Sequence, residues 1–141
     1  MIRVGKVFTA LSSVFTKIID GDLPAHFVHR DDTAVAFMSI EPLRPGHVLV
    51  VPVTEVDHWL DLDQTTLAHL VVVSQRIGLA IADAFPSQKV AMMIAGLEVP
   101  HVHIHLVPID GVHDLDFSNA TAAEQGELAA AAQSIAVALA G

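Results

Sequence analysis

Three histidines, His101, His103 and His105, alternate with Val102 and Ile104 over five residues. In an extended strand, residues i, i+2 and i+4 share a face, so the imidazoles would stand in a row about 7 Å apart. Val102, Ile104 and Leu106 would face the other way and supply core. Such a row is costly unless each ring finds hydrogen-bond partners that fix its tautomer. Three chemistries fit it. The first is a structural ladder of satisfied histidines. The second is a metal site, with His47 or an acidic residue joining the His-x-His pair. The third is covalent catalysis, in which one imidazole attacks phosphorus while its neighbours orient it and protonate the leaving group.

Whatever the row does must be carried by a chain of 141 residues, most simply one domain spanning 1–141. Hydrophobic residues make up 52% of it, and the mean hydropathy is +0.55. That excess calls for an unusually complete core or an apolar face buried against another subunit. Asp, His, Gln or Arg interrupts each apolar run before the ~18 residues a membrane helix needs, and no signal peptide is read at the N-terminus. The absence of cysteine excludes disulfides, thiolate metal sites and thiol catalysis, and is consistent with a cytoplasmic protein. A formal charge of −9 with only seven basic residues argues against nucleic acid as a partner.

The elements that would position the histidines follow from periodicity and turn residues. Residues 1–11 have no clear period and read as a loose extension ahead of a core over 12–110. Val14–Ile19 predicts a short helix stopped by Gly21 and Pro24. Ala25–Arg30 and Ala34–Ile40 predict strands around the turn Asp31-Asp32-Thr33. His47–Val51 predicts a third strand, entered through Pro42, Pro45 and Gly46 and ended by Pro52. Asp61–Phe85 predicts a long helix with Leu67, Leu70, Val71, Ile77, Ile81 and Ala84 on its apolar stripe. Lys89–Ile94 and Val102–Ile109 predict two further strands. A last helix is expected over 120–140, with Thr121-Ala122-Ala123-Glu124 as a capping box. Hairpin-length connections give an α+β fold with an antiparallel sheet of about five strands.

The segment His101-Val102-His103-Ile104-His105-Leu106-Val107 satisfies every position of the His-φ-His-φ-His-φ-φ signature, with φ apolar. Upstream stand Pro45-Gly46-His47-Val48-Leu49-Val50-Val51-Pro52 and Val14-Phe15-Thr16-Lys17-Ile18-Ile19. In these three ordered motifs, from about Ser13 to Pro108, the chain resembles the histidine triad (HIT) superfamily of nucleotide hydrolases and transferases. The resemblance implies a covalent nucleotidyl intermediate on His103. It makes His101 and His105 the flanking histidines that orient the nucleophile and assist the leaving group, and His47 a supporting fourth. It places Val14, Phe15, Ile18, Phe37 and Ile40 around the base; ordinary core is the competing reading for each. It also implies a homodimer with joined sheets and a nucleotide-like small-molecule ligand. No cofactor and no metal are called for.

The sequence departs from that pattern on the substrate-holding groups. Leu97 stands where the family usually has a phosphate-donating Gln, and backbone amides near Val99 are the available substitute. Ser39 stands where relatives use an acidic residue or Asn on the ribose. Ser13 and Thr16 occupy the positions of the Cys-x-x-Cys zinc pair found in some bacterial relatives, so no such zinc is expected. Hence two functions stay open, an enzyme acting on a nucleoside phosphoramidate, dinucleotide polyphosphate or adenylylated metabolite, and a nucleotide-binding regulatory module with little turnover; a zinc enzyme is the third option, decided by metal analysis. His26, His29, His58, His69 and His113 are expected at the surface. Asp110, Asp114 and Asp116 are expected in a solvated loop or at the rim of the site.

Overall fold

The computed structural model describes residues 12–141; the expected extension over 1–11 lies outside the described residues. Five strands form one antiparallel sheet in the order β1-β2-β3-β5-β4. They are β1 (Phe27–Arg30), β2 (Ala34–Met38), β3 (Val48–Pro52), β4 (Lys89–Ile94) and β5 (Ile104–Ile109). Among the described residues three α-helices accompany them: α1 (Val14–Ile19), α2 (Gln64–Ala84) and α3 (Gln125–Ala140). The α+β expectation holds.

The sheet is two-sided, and alternation along the strands divides the two sides. Ala34, Ala36, Met38, Val48, Val50, Ile104 and Leu106 point to the side covered by α2 and α3. Val35, Phe37, Leu49 and Val51 point to the opposite side, where Phe15 of α1 packs on them. The β1–β2 turn is set by Asp31, whose Oδ1 accepts the N–H groups of Thr33 and Ala34 at 2.7 and 2.8 Å.

Helix α2 carries apolar residues on both its inner and its outer side. By length and hydropathy alone it is the one described helix able to cross a bilayer, yet Leu70, Val73, Ile77, Ala80 and Ile81 on one side of it are buried against the sheet. Val71, expected on that stripe, is partly exposed instead, and Val73 and Ser74 take the inner positions. Where both faces carry Val and Leu, periodicity cannot choose between them.

Several boundaries differ from expectation. The first two strands are trimmed to β1 and β2, and β5 starts at Ile104 rather than Val102. The long helix begins at Gln64, capped by Asp63, after a separate 3-10 turn at Trp59–Asp61. The capping box at Thr121 is not formed. The Thr121 hydroxyl donates to the Asn119 carbonyl, and the Ala123 N–H donates to the Ile40 carbonyl. That second bond holds the segment against the end of β2 and delays α3 until Gln125, with Glu124 as a cap lacking a side-chain bond.

Candidate active site

His101 and His103 precede β5 and His105 lies within it, yet the in-out alternation continues through all three. Val102, Ile104 and Leu106 enter the helix-side core, while the three imidazoles lie on the other face, each almost fully buried. Phe15 fixes the row edge-on, its ring centroid 4.9 Å from His103 and 5.8 Å from His101. His105 sits 4.8 Å from His103 and 5.0 Å from Phe117. Burial of the Phe15 ring is worth ~1.5–3 kcal/mol to the fold and immobilises the nearby imidazoles.

His47 joins the row from the start of β3. Gly46 before it has φ +96°, and a Cβ there would approach the Phe85 ring to 2.8 Å, so this turn needs glycine for both conformation and space. The Leu43 N–H donates to His47 Nδ1 at 3.0 Å. The proton of a neutral His47 therefore lies on Nε2, which donates to His105 Nδ1 at 2.9 Å. The proton of a neutral His105 in turn lies on Nε2. That atom is buried without a full hydrogen bond, with Glu98 Oε1 3.5 Å away. Burial, reinforced by the neighbouring histidines, pushes the pKa of His47 down to about 3 and that of His105 to about 4. Both are neutral near pH 7.

His101 is locked at both ends. Its Nε2–H donates to the Pro52 carbonyl at 2.8 Å, and Nδ1 accepts from the Ser13 hydroxyl at 2.6 Å. Glu55 completes this corner, accepting the Thr16 hydroxyl at 2.7 Å and the Ser13 N–H at 2.8 Å. Burial holds His101 below the usual histidine range. With hydroxyls at 13 and 16 in place of thiolates, the donor set does not fit a structural zinc.

His103 directs Nδ1–H to the His101 carbonyl at 2.8 Å, leaving Nε2 aimed into a cleft of about 260 Å³. Glu98 Oε1 stands 2.8 Å from that Nε2. Burial would raise the Glu98 pKa, but the hydrogen bond with His103 and the field of both histidines hold it below its ordinary range. Ligand atoms of Glu98, His103 and His105 converge closely enough for a metal. The His47–His105 chain argues against that use, because it leaves His105 Nε2 carrying a proton instead of a free lone pair. A second convergence, His29, Asp31 and His69, lies elsewhere on the chain. There Asp31 Oδ2 accepts from both histidines, and Arg76 donates to His29 Nδ1.

The cleft gathers Val14, Phe15, Ile18, Phe37, Ser39, Ile40 and Val99 beside His47, His103 and His105. Among its described lining residues are two carboxylates, Glu41 and Glu98, and no Lys or Arg. Arg44 is held outside it by Asp110 and Asp114, at 3.1 and 2.7 Å. A family model described as the HIT domain matches residues 20–112. The chain belongs to the HIT family. An uncharacterized HIT-like protein of Saccharolobus solfataricus is 30% identical over 100 residues, covering 67% of this chain and 72% of that protein. A zinc-bound histidine triad family protein from Mycobacterium smegmatis superposes with TM-score 0.78 at 27% identity, covering 92% of this chain and 94% of that one. A HIT family hydrolase from Legionella pneumophila gives 0.59 at 26%, covering 68% and 91%.

One expectation for this HIT chain is corrected. Leu97 is 93% exposed and lies beside Asp57 and His58 outside the cleft, so it does not occupy a phosphate donor's place. Gly96 turns the chain at φ +81°, and the next residue to reach the histidines is Glu98. Sequence reasoning missed Glu98, Glu41 and Phe117. The signal available for Glu98 was a carboxylate three residues before the triad; for Phe117 it was only an aromatic in an acidic loop.

Proposed function

We propose that this HIT protein is a nucleotide-binding hydrolase or transferase that cleaves a phosphoanhydride or phosphoramidate bond through a nucleotidyl–His103 intermediate. The observation that carries the proposal is the pairing of His103 Nδ1–H with the His101 carbonyl, which presents Nε2 to the cleft as the attacking atom. His101 holds that carbonyl in place, being bonded to Ser13 and Pro52. His105, its tautomer set by His47, offers an N–H to a phosphoryl oxygen or to the departing atom. Phe15, Phe37, Val14, Ile18, Ile40 and Val99 form an apolar slot suited to a base, and Ser39, lining the same cleft, offers a hydroxyl to the ribose.

The apolar excess also supports a homodimer. Strand β4 is an edge of the sheet, and Met92 on it adjoins Val71, Val72 and Leu79 on the outer side of α2. A second copy placed there would cover the apolar surface and pair the free edge.

Intact-protein mass after brief incubation with a nucleoside phosphoramidate tests the chemistry. The expected result is a nucleotidyl adduct on the parent, absent from His103→Ala, with turnover down by at least ~10³-fold. Turnover by His103→Ala close to the parent rate would end the nucleophile assignment.

A further inference from the structure

The site holds one proton able to move, and its position identifies a further catalytic group. The His47–His105 chain begins at the Leu43 backbone amide, which cannot resupply a proton. If neutral His105 gave up its Nε2 proton, an imidazolate would remain. Its N–H therefore serves as a hydrogen-bond donor and not as an acid. His101 is closed off by the Pro52 carbonyl and the Ser13 hydroxyl. Between His103 Nε2 and Glu98 Oε1 the separation is 2.8 Å. Since His103 Nδ1–H already donates to a carbonyl, a hydrogen bond of that length requires one further proton between Nε2 and Oε1.

We propose that Glu98 is the general acid and base of the reaction described above; the proposal rests on that reading. In the first step the shared proton moves to Glu98 as the substrate phosphorus approaches. The freed lone pair of His103 Nε2 forms the N–P bond. The bond from phosphorus to the leaving nitrogen or oxygen breaks, its electron pair stays with the leaving atom, and that atom takes the proton from Glu98. In the second step the Glu98 carboxylate takes a proton from water. The hydroxide forms a P–O bond, the N–P bond breaks with its pair returning to Nε2, and the nucleoside monophosphate leaves. The proton returns to its place between Glu98 and His103. Atoms and charge balance over the two steps, and no other reactant is needed. Glu98 is 48% exposed along its side chain, so it has room to follow the leaving group. The titratable groups facing it are His103 and His105, with Glu41 in the same cleft.

The test uses Glu98→Gln and Glu98→Asp on two esters or amidates of one nucleoside monophosphate. One has an alkylamine leaving group, which must be protonated; the other has nitrophenolate, which need not be. With the amine, Glu98→Gln should form the adduct ~10²–10³-fold more slowly. With nitrophenolate, the loss in formation should be at least ~10-fold smaller than with the amine, and the adduct should accumulate because hydrolysis has lost its base. Glu98→Asp should recover part of the amine rate. An equal loss on both substrates would mean a structural role and overturn the proposal, as would no loss or a gain with the amine. A parent protein that forms no adduct with either substrate overturns the nucleotidyl-histidine reading instead. Should Glu98→Gln fail to fold, Glu98→Asp carries the same comparison, a larger loss with the amine than with nitrophenolate.

Discussion

His47 Nε2 lies 2.9 Å from His105 Nδ1, and this bond transmits the hydrogen-bonding state of a backbone amide on one side of the site to an N–H on the other. Replacing His47 breaks the relay at its middle. His47→Ala should leave the Leu43 amide without its acceptor and free His105 to choose its tautomer. The loss of one oriented hydrogen bond, ~1–1.5 kcal/mol, corresponds to about tenfold in rate. That is well short of the loss at His103. Steady-state rates of the two variants on one substrate check the ranking, and equal losses would mean that His47 does more than orient.

The same relay makes the fold sensitive to acid. His47 and His105 titrate at about 3 and about 4 in the native state, against 6.5 for an ordinary histidine. A depressed native pKa means that the unfolded chain binds more protons once the pH falls below about 6.5, so stability present above that value is lost on acidification. For His47 alone the loss between pH 7 and pH 5 is on the order of 2 kcal/mol. Urea unfolding should therefore show midpoints falling steadily from pH 7 to pH 5, before most carboxylates titrate. A flat profile over that interval would contradict the buried neutral pair.

Most of the framework was legible because its causes are local. Alternation in Val102–Leu106 and the punctuation by Pro45, Gly46 and Pro52 depend on near neighbours in the chain, and the five strands stand in the expected places. The four histidines were legible for the same reason. The start of α3 was not, since it is set by a bond from Ala123 to Ile40 across the fold. Nor was the choice between Leu97 and Glu98. A loop turned by Gly96 at positive φ decides which side chain faces the cleft, and no period describes it.

The exposed position of Leu97 gives a prediction of its own. Leu97→Gln places an amide on an exposed position, where it gains no phosphate and buries no unpaired group. Its rate on a nucleoside phosphoramidate should stay within about twofold of the parent. Its stability should stay within ~0.5 kcal/mol, the range of ordinary surface substitutions. A tenfold faster variant would show that the loop turns inward when substrate binds.

The proposed dimer depends on side chains that a monomer would leave in water. Val72 is 64% exposed and Leu79 70% on the outer side of α2, beside Met92 on the edge strand β4. An isolated chain gains little from either side chain, so Val72→Asp with Leu79→Asp should cost a monomer only the small helix-propensity difference, ~1 kcal/mol. In a dimer each would place a charge in an apolar contact and remove ~1.5–3 kcal/mol of burial. Together that weakens association by at least ~100-fold. Light scattering across micromolar concentrations should find the parent dimeric and the double variant monomeric. Circular dichroism should give the two the same helix content. A monomeric parent would leave the outer face of α2 without the partner proposed for it and would point to another role for its apolar excess.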